Sequence, residues 1–258
     1  MNRELRMRLN IAFVILVMPY LALRRISRFF LGRMESYRVF FEGGIGSTCD
    51  YLEKLKFPEI VRTWIDVRTR YAFEKEITQT VLAVRGKIFL DIGANMGYYT
   101  AIASKNFETV LAFEPHPQNL AMLRSTVAAG RLRNVITRNE AVSDTDGTAI
   151  LHFQRKRGEH SIMKDEGVQQ LTVRTIKLDS IVNERVDLAK VDVEGAEWRV
   201  IKGAEMSMRA GKILRWVIEV DDQSTKAALE DYLRERKYVS RWLDARHLFA
   251  HYCQKLGQ

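Results

Sequence analysis

From Gly86 onward the sequence predicts an α/β domain built on a parallel, doubly wound sheet. Two observations predict it. Short apolar runs recur along this stretch with helical segments between them, and such alternation implies right-handed crossovers between parallel strands. The composition is that of an ordinary globular chain, with 258 residues, 47% hydrophobic and 28% charged, 15 Gly and 4 Pro. It excludes a disordered, collagen-like or low-complexity protein.

Each element has its own reason. Lys87–Ile92 is a short apolar strand, followed by a Gly-rich turn and a helix from about Tyr98. Thr109–Phe113 is the second strand. Pro117 at the start, a face of Leu120, Leu123 and Val127, and Gly130 at the end define the next helix. Val135–Arg138 is the third strand. Residues 148–154 and 171–178 alternate like strands around a polar loop, and Leu188–Val193 is the next strand, leading into a helix from Ala196 to about Lys202. Leu214–Val220, a helix over 225–236 and two strand-like runs complete the chain. Ligands of such sheets bind beyond the carboxyl ends of the strands.

Upstream of this domain the sequence changes character. The net charge is +9, and residues 1–38 hold eight arginines and two glutamates, a net of +6, which leaves +3 for the rest. Leu9–Leu23 carries no charge. As a helix it would measure roughly 22 Å, short of the ~30 Å hydrocarbon core. Tyr20, Leu23, Ile26 and Phe30 then share a helical face, with Arg24, Arg25 and Arg28 between them. That pattern predicts a membrane-associating segment over 1–34, as a short anchor or an interfacial helix, with burial against protein as the alternative. If it spans, the positive-inside rule faintly favours a cytoplasmic body. Residues 35–85 read as a helical lead-in, and 86–258 as the main domain. Two cysteines, Cys49 and Cys253, make no disulfide framework and match no metal spacing. A reducing, intracellular compartment is the default. The arginines bracket an apolar stretch without interleaved lysines and aromatics, which argues against nucleic acid as partner.

Four motifs carry chemistry. Asp91-Ile92-Gly93-Ala94-Asn95-Met96-Gly97 lies at the first strand–helix turn with G-x-x-x-G spacing. It is not the G-x-G-x-x-G that cradles a dinucleotide pyrophosphate. An aspartate there suits a cationic ligand such as the amino group and sulfonium of S-adenosylmethionine. Glu114 ends the second strand 17 residues after Gly97, where a carboxylate can accept from both ribose hydroxyls. Glu140-Ala141-Val142-Ser143-Asp144 follows the third strand, where backbone and short side chains could grip an adenine edge. In Lys190–Glu197 (KVDVEGAE) three carboxylates cluster at a strand end and helix start. Helix capping and dipole complementarity could account for Glu194 and Glu197 without catalysis, whereas an idle acid at Asp192 would be costly.

With DIGANMGYYT (91–100), FEPHPQN (113–119), EAVSD (140–144) and KVDVEGAE (190–197), and Glu219 ending WVIEV, the chain resembles the FkbM family of S-adenosylmethionine-dependent methyltransferases. The resemblance covers about 86–220. It implies the Rossmann-like, seven-stranded class I methyltransferase fold, with strands at about 237–243 and 248–254 forming an antiparallel edge. It also implies that Asp91, Gly93, Asn95, Gly97, Glu114 and the 140–141 backbone (Glu140, Ala141) surround S-adenosyl-L-methionine. The expected activity is O-methylation, of a sugar hydroxyl in a glycolipid, a polysaccharide precursor or a related metabolite, at the cytoplasmic face of a membrane. An RNA methyltransferase and a non-catalytic nucleoside-binding protein are the rival readings.

An alcohol acceptor must lose a proton, which calls for a base or a metal. Asp192 is the first choice of base and Glu194 the next, with Glu197 a helix-start residue. A divalent metal held by Asp192 and Glu194 with waters, in the manner of magnesium, is the other route. His160, in the loop 155–165, reads as a solvated histidine that could reach the site. Tyr98 or Tyr99 could pack beside the cofactor, and Trp198 and Trp216 read as core or interface residues.

Overall fold

The computed structural model describes residues 74–153, 160–161, 169–220 and 222–254. The membrane-associating segment expected over 1–34, most of the lead-in over 35–85, Cys49 and most of the loop 155–165 lie outside the described residues. Among the described residues no helix is long and apolar enough to cross a membrane.

The chain begins with α1 (Lys75–Ala83), β1 (Gly86–Ile92), α2 (Tyr98–Ala103), β2 (Phe107–Phe113), α3 (Pro117–Gly130) and β3 (Val135–Arg138). There follow β4 (Ala141–Val142), β5 (Gly147–Phe153), β6 (His160–Ser161) and β7 (Gln169–Ile176). The last third holds β8 (Leu188–Val191), α4 (Glu197–Lys202), α5 (Glu205–Arg209), β9 (Arg215–Glu219), α6 (Lys226–Glu235), β10 (Tyr238–Trp242) and β11 (His247–Tyr252).

The main sheet has seven strands in the order β10-β11-β9-β8-β1-β2-β3. Its five left-to-right neighbours from β9 to β3 run parallel, while β11 runs antiparallel to both β9 and β10. The expected antiparallel edge is thus refined: β10 is outermost, and β11 is inserted between it and β9. A second sheet, β4-β7-β5-β6, is built from the segment between β3 and β8.

Side chains alternate between the two faces of each strand. Leu90 and Ile92 of β1, Ala189 and Val191 of β8, Trp216 and Ile218 of β9, and Leu248 and Ala250 of β11 enter one large core with Val200, Ile201, Met208, Leu229 and Leu233. Their neighbours, including Asp91, Lys190, Glu219 and His247, therefore face the other side. There Phe89 meets Phe107 with ring centres 5.2 Å apart, and Thr100 of α2 covers Asp91. Helix α3 packs Leu120 and Leu123 on Ala112. Its amino end carries Pro117 at the first turn and His116 as the cap, whose Nδ1 accepts from the Asn119 N–H at 3.4 Å.

Boundaries moved where pairing and turns demanded it. β2 starts at Phe107 because Gly86 pairs with it. β8 stops at Val191 because Glu194 (φ 54°) and Gly195 (φ 99°) turn the chain through the left-handed region.

Candidate active site

The carboxyl ends of β1, β2 and β8 open onto an open-mouthed pocket with about 670 Å³ of empty space. Gly93, Asn95, Glu114, Glu140, Ala141, Asp192 and Glu194 all line it, so seven of the nine expected site residues converge. Val142, Leu151 and Asn119 complete much of the wall. Leu151 comes from the second sheet, which thus walls the pocket.

Glu114 is buried at 5% exposure and tied at both oxygens. Oε2 accepts from the Asn95 N–H and Oε1 from the His116 N–H, each at 2.8 Å. Each oxygen keeps lone-pair capacity for a further donor. Burial pushes its carboxyl up to about 7, against the pull of those two N–H groups. Glu140 is clamped in turn, with Arg138 Nε and Nη2 donating to its two oxygens at 2.9 and 3.0 Å. Such a bidentate pair fixes orientation as well as charge.

Asp91 and Gly97 do not line the pocket. Asp91 is buried at 1% on the opposite face of β1, where Thr100 Oγ1 donates to its Oδ2 at 2.5 Å. The cation it meets is the chain's own: Lys190 stands directly beside it in the β1–β8 register. Burial raises the Asp91 carboxyl above its usual range despite that ammonium, and its Oδ1 is buried without a hydrogen-bond partner. Gly97 is the left-handed residue before α2 (φ 88°), and a Cβ there would meet Leu123 Cδ1 at 2.6 Å. At Gly93 (φ 80°) a Cβ would strike the Asp192 carbonyl at 1.8 Å. Gly93 is thus required by contact within the chain and Gly97 chiefly by its left-handed backbone, before any ligand is considered.

Asp192 connects the pocket to this second face. Lys190 Nζ donates to its Oδ2 at 2.9 Å, with the Lys190 side chain 2% exposed and that of Asp192 28%. Burial pushes the Asp192 carboxyl up, but the Lys190 ammonium, by charge and hydrogen bond, holds it below the usual aspartate range. Burial would likewise lower Lys190, and Asp192 and Asp91 together hold it above the ordinary lysine value. Its ammonium also lies 4.6 Å from the centre of the Tyr99 ring.

Glu194 lines the pocket from a left-handed backbone position, a strained conformation for a residue with a side chain. Glu197 is a helix-start residue, its Oε1 accepting from the Gly195 N–H at 2.8 Å. Tyr98 and Tyr99 are buried and outside the lining; Tyr99 donates from its hydroxyl to Glu74 Oε2 at 2.6 Å. Trp216 is fully buried, and Trp198 packs edge-on against Tyr232. His160 contributes backbone to β6.

Sequence reasoning gave no role to Lys190, His247 or Glu74. The signal for Lys190 was present: a lysine inside the buried strand LAKV is expensive unless paired. His247 stands beside Glu219 in the β9–β11 register, a pairing that only the fold reveals. Among the described residues, the carboxylates that converge closely with a third metal-ligating group are Glu74 and Glu219 with His247. Asp192 and Glu194 do not form such a group.

The lining fits an adenosine-bearing ligand on the structure's own terms. A buried carboxylate at the end of β2 keeps acceptor capacity for two hydroxyls, a clamped acid follows β3, and apolar Phe113, Val142 and Leu151 line the same pocket. Residues 91–240 match the methyltransferase FkbM domain family. Among solved structures, an FkbM methyltransferase from Methylobacillus flagellatus KT is 18% identical, with a TM-score of 0.49, over 66% of this chain and 45% of that one. An rRNA methylase from Streptococcus thermophilus is 14% identical (TM-score 0.46) over 69% of this chain and 94% of its own. A methyltransferase from Streptococcus mutans in complex with S-adenosylhomocysteine is 13% identical (TM-score 0.45), covering 67% and 92%. This chain therefore spans less than half of the first of these and nearly all of the other two. No curated protein matches the chain.

Proposed function

The chain belongs to the FkbM methyltransferase family, and we propose that it is an S-adenosylmethionine-dependent O-methyltransferase acting on a sugar hydroxyl of a glycolipid, a polysaccharide precursor or a related metabolite. The observation that carries the reading is Glu114, buried at the end of β2 with both oxygens oriented by backbone N–H groups. S-adenosylmethionine, when bound, supplies an electrophilic methyl group on a cationic leaving group.

This chain's residues bind, orient and take a proton. Glu114 accepts from the ribose hydroxyls. The Glu140–Ala141 turn, with Glu140 fixed by Arg138, meets the adenine side of the pocket. Gly93 and Asn95 shape the turn between β1 and α2 that forms the pocket floor. Asp91 and Gly97 hold that turn from behind, Asp91 through Thr100 and Lys190, Gly97 through its left-handed backbone.

Asp192 is the proton acceptor, with Glu194 beside it on the same wall. An aspartate held low by Lys190 is a weak base toward a neutral alcohol. It suffices here because the hydroxyl becomes strongly acidic as its oxygen gains the methyl carbon. The proton then passes to Asp192, whose geometry is fixed by Lys190. Positioning supplies much of the remaining rate.

We further propose that residues 1–34 associate the protein with a membrane, with the domain on its cytoplasmic face. The support is the sequence: an uncharged run over 9–23 flanked by arginines. The test is transfer of radiolabelled methyl groups from S-adenosylmethionine by the full chain. Acceptors are extracted glycolipids, polysaccharide precursors and total RNA, with and without anionic vesicles. Label in a sugar-bearing fraction, with protein floating on the vesicles, is expected. Label in RNA alone would overturn the acceptor class.

A further inference from the structure

A second cluster of titratable groups lies at the carboxyl end of the sheet, on the face away from the main core. His247 begins β11 and is 2% exposed. Both oxygens of Asp244 lie 2.9 Å from its Nδ1. A carboxylate in that position places the ring proton on Nδ1 and presents the Nε2 lone pair outward, the arrangement seen behind metal-ligating histidines. Nε2 is buried with no hydrogen-bond partner, and it points at Glu219 Oε2, 3.6 Å away.

Glu219 is the cross-strand neighbour of His247. Its Oε1 pairs with Arg246 at 2.7 Å, leaving Oε2 directed inward. Glu74, just before α1, completes the group: one ligand atom from each of Glu74, Glu219 and His247 lies within 4.8 Å of the others. Ligand atoms on one ion at about 2.0–2.2 Å sit roughly 3–4 Å apart, so small side-chain rotations close the set. Charge points the same way. Buried Glu219 and the more exposed Glu74, Asp192 and Asp244 bring four carboxylates together, with Lys190, Arg246 and, when protonated, His247 as their cations. Carboxylates crowded together favour a further positive charge beside them.

We propose that Glu74, Glu219 and His247 bind one divalent transition-metal ion. Two carboxylates and an imidazole suit manganese, cobalt or zinc better than magnesium, which prefers all-oxygen ligands. Three protein ligands leave open positions, the form taken by catalytic and not by structural sites. Asp192 interacts with Glu219 and lines the pocket, so the ion stands next to the proposed proton acceptor. A role in holding the acceptor oxygen rests on the methyltransferase reading; ion binding does not.

The test uses the untagged full-length protein, stripped with EDTA and titrated with Co²⁺ while visible absorption is recorded. One equivalent with a saturating ligand-field spectrum, displaced by Zn²⁺, is expected. His247→Gln and Glu219→Gln should abolish the spectrum, and Asp244→Asn should weaken binding about 10–100-fold through the ring it orients. Asp146→Asn, an exposed acid held by Ser180, should leave it unchanged. Circular dichroism checks each fold. If the ligand variants fail to fold, Asp244→Asn decides: undiminished Co²⁺ affinity there overturns the site. No spectrum in folded wild-type protein at millimolar Co²⁺ also overturns it, as does one that persists in His247→Gln. S-adenosylmethionine titration of the same stripped protein separates the two failures, since intact cofactor binding without metal sinks the metal site alone.

Discussion

Lys190 and Asp192 share one strand and its exit, two residues apart, and their side chains meet at 2.9 Å. The lysine is enclosed on the face that also holds Asp91, and the aspartate reaches the pocket. One buried ammonium thus serves two carboxylates, and it ties the turn after β1 to the turn after β8.

Replacing Lys190 by Met should therefore be among the most damaging single changes in the domain. It strands Asp91 and Asp192 without their cation, and breaking a buried pair at one partner costs about 3–5 kcal/mol. Denaturant unfolding should report that loss, and a variant as stable as wild type would show the pair to be idle.

Asp192→Asn should separate chemistry from binding. With an acceptor in hand, kcat should fall at least about 100-fold, the usual scale of a lost general base. The dissociation constant of S-adenosylmethionine should stay within about threefold, a shift well under 1 kcal/mol. Glu197→Gln, at the helix start and outside the pocket lining, should leave kcat unchanged. Equal losses in both variants would contradict the role given to Asp192.

The two glycines of the first turn should behave unequally. Gly93→Ala drives a Cβ onto the Asp192 carbonyl, backbone against backbone, and at positive φ. Gly97→Ala meets only the tip of Leu123, which can rotate, so its cost is mainly the left-handed backbone, about 1–2 kcal/mol. Thermal unfolding should rank Gly93→Ala clearly below Gly97→Ala, and the reverse order would contradict the close approach of β1 and β8.

Much of this was legible in the sequence for a physical reason. LAKV, KIFL and WVIE are apolar because β8, β1 and β9 are covered on both faces, so each run announces its strand. Glu114, Asp192 and Glu194 were readable because strand ends of such sheets face the ligand crevice. The depth of Asp91 was not readable, since a strand-end acid can face either side and only the alternation of β1 decides. The short α5 was also missed, as five residues leave too little periodicity. Glu74, Glu219 and His247 are separated by 145 and 28 residues, so no local spacing could join them.

Cofactor binding should depend on pH through Glu114. Its carboxyl ionises at about 7 in the fold, and the ionised form is the one that accepts from both ribose hydroxyls. Affinity should be full above about pH 8 and fall as pH drops through 7, by up to about tenfold for each further pH step. Glu114→Gln should flatten that dependence.

The pocket at the ends of β1, β2 and β8 should bind S-adenosylmethionine through Glu114. The decisive experiment is calorimetric titration of the full chain at pH 8, beside Glu114→Gln. Micromolar, one-to-one binding is expected, weakened at least about tenfold in the variant, the scale of one lost charge-assisted hydrogen bond. A folded wild-type protein that binds no S-adenosylmethionine, or a variant that binds it equally well, would rule out this role for Glu114.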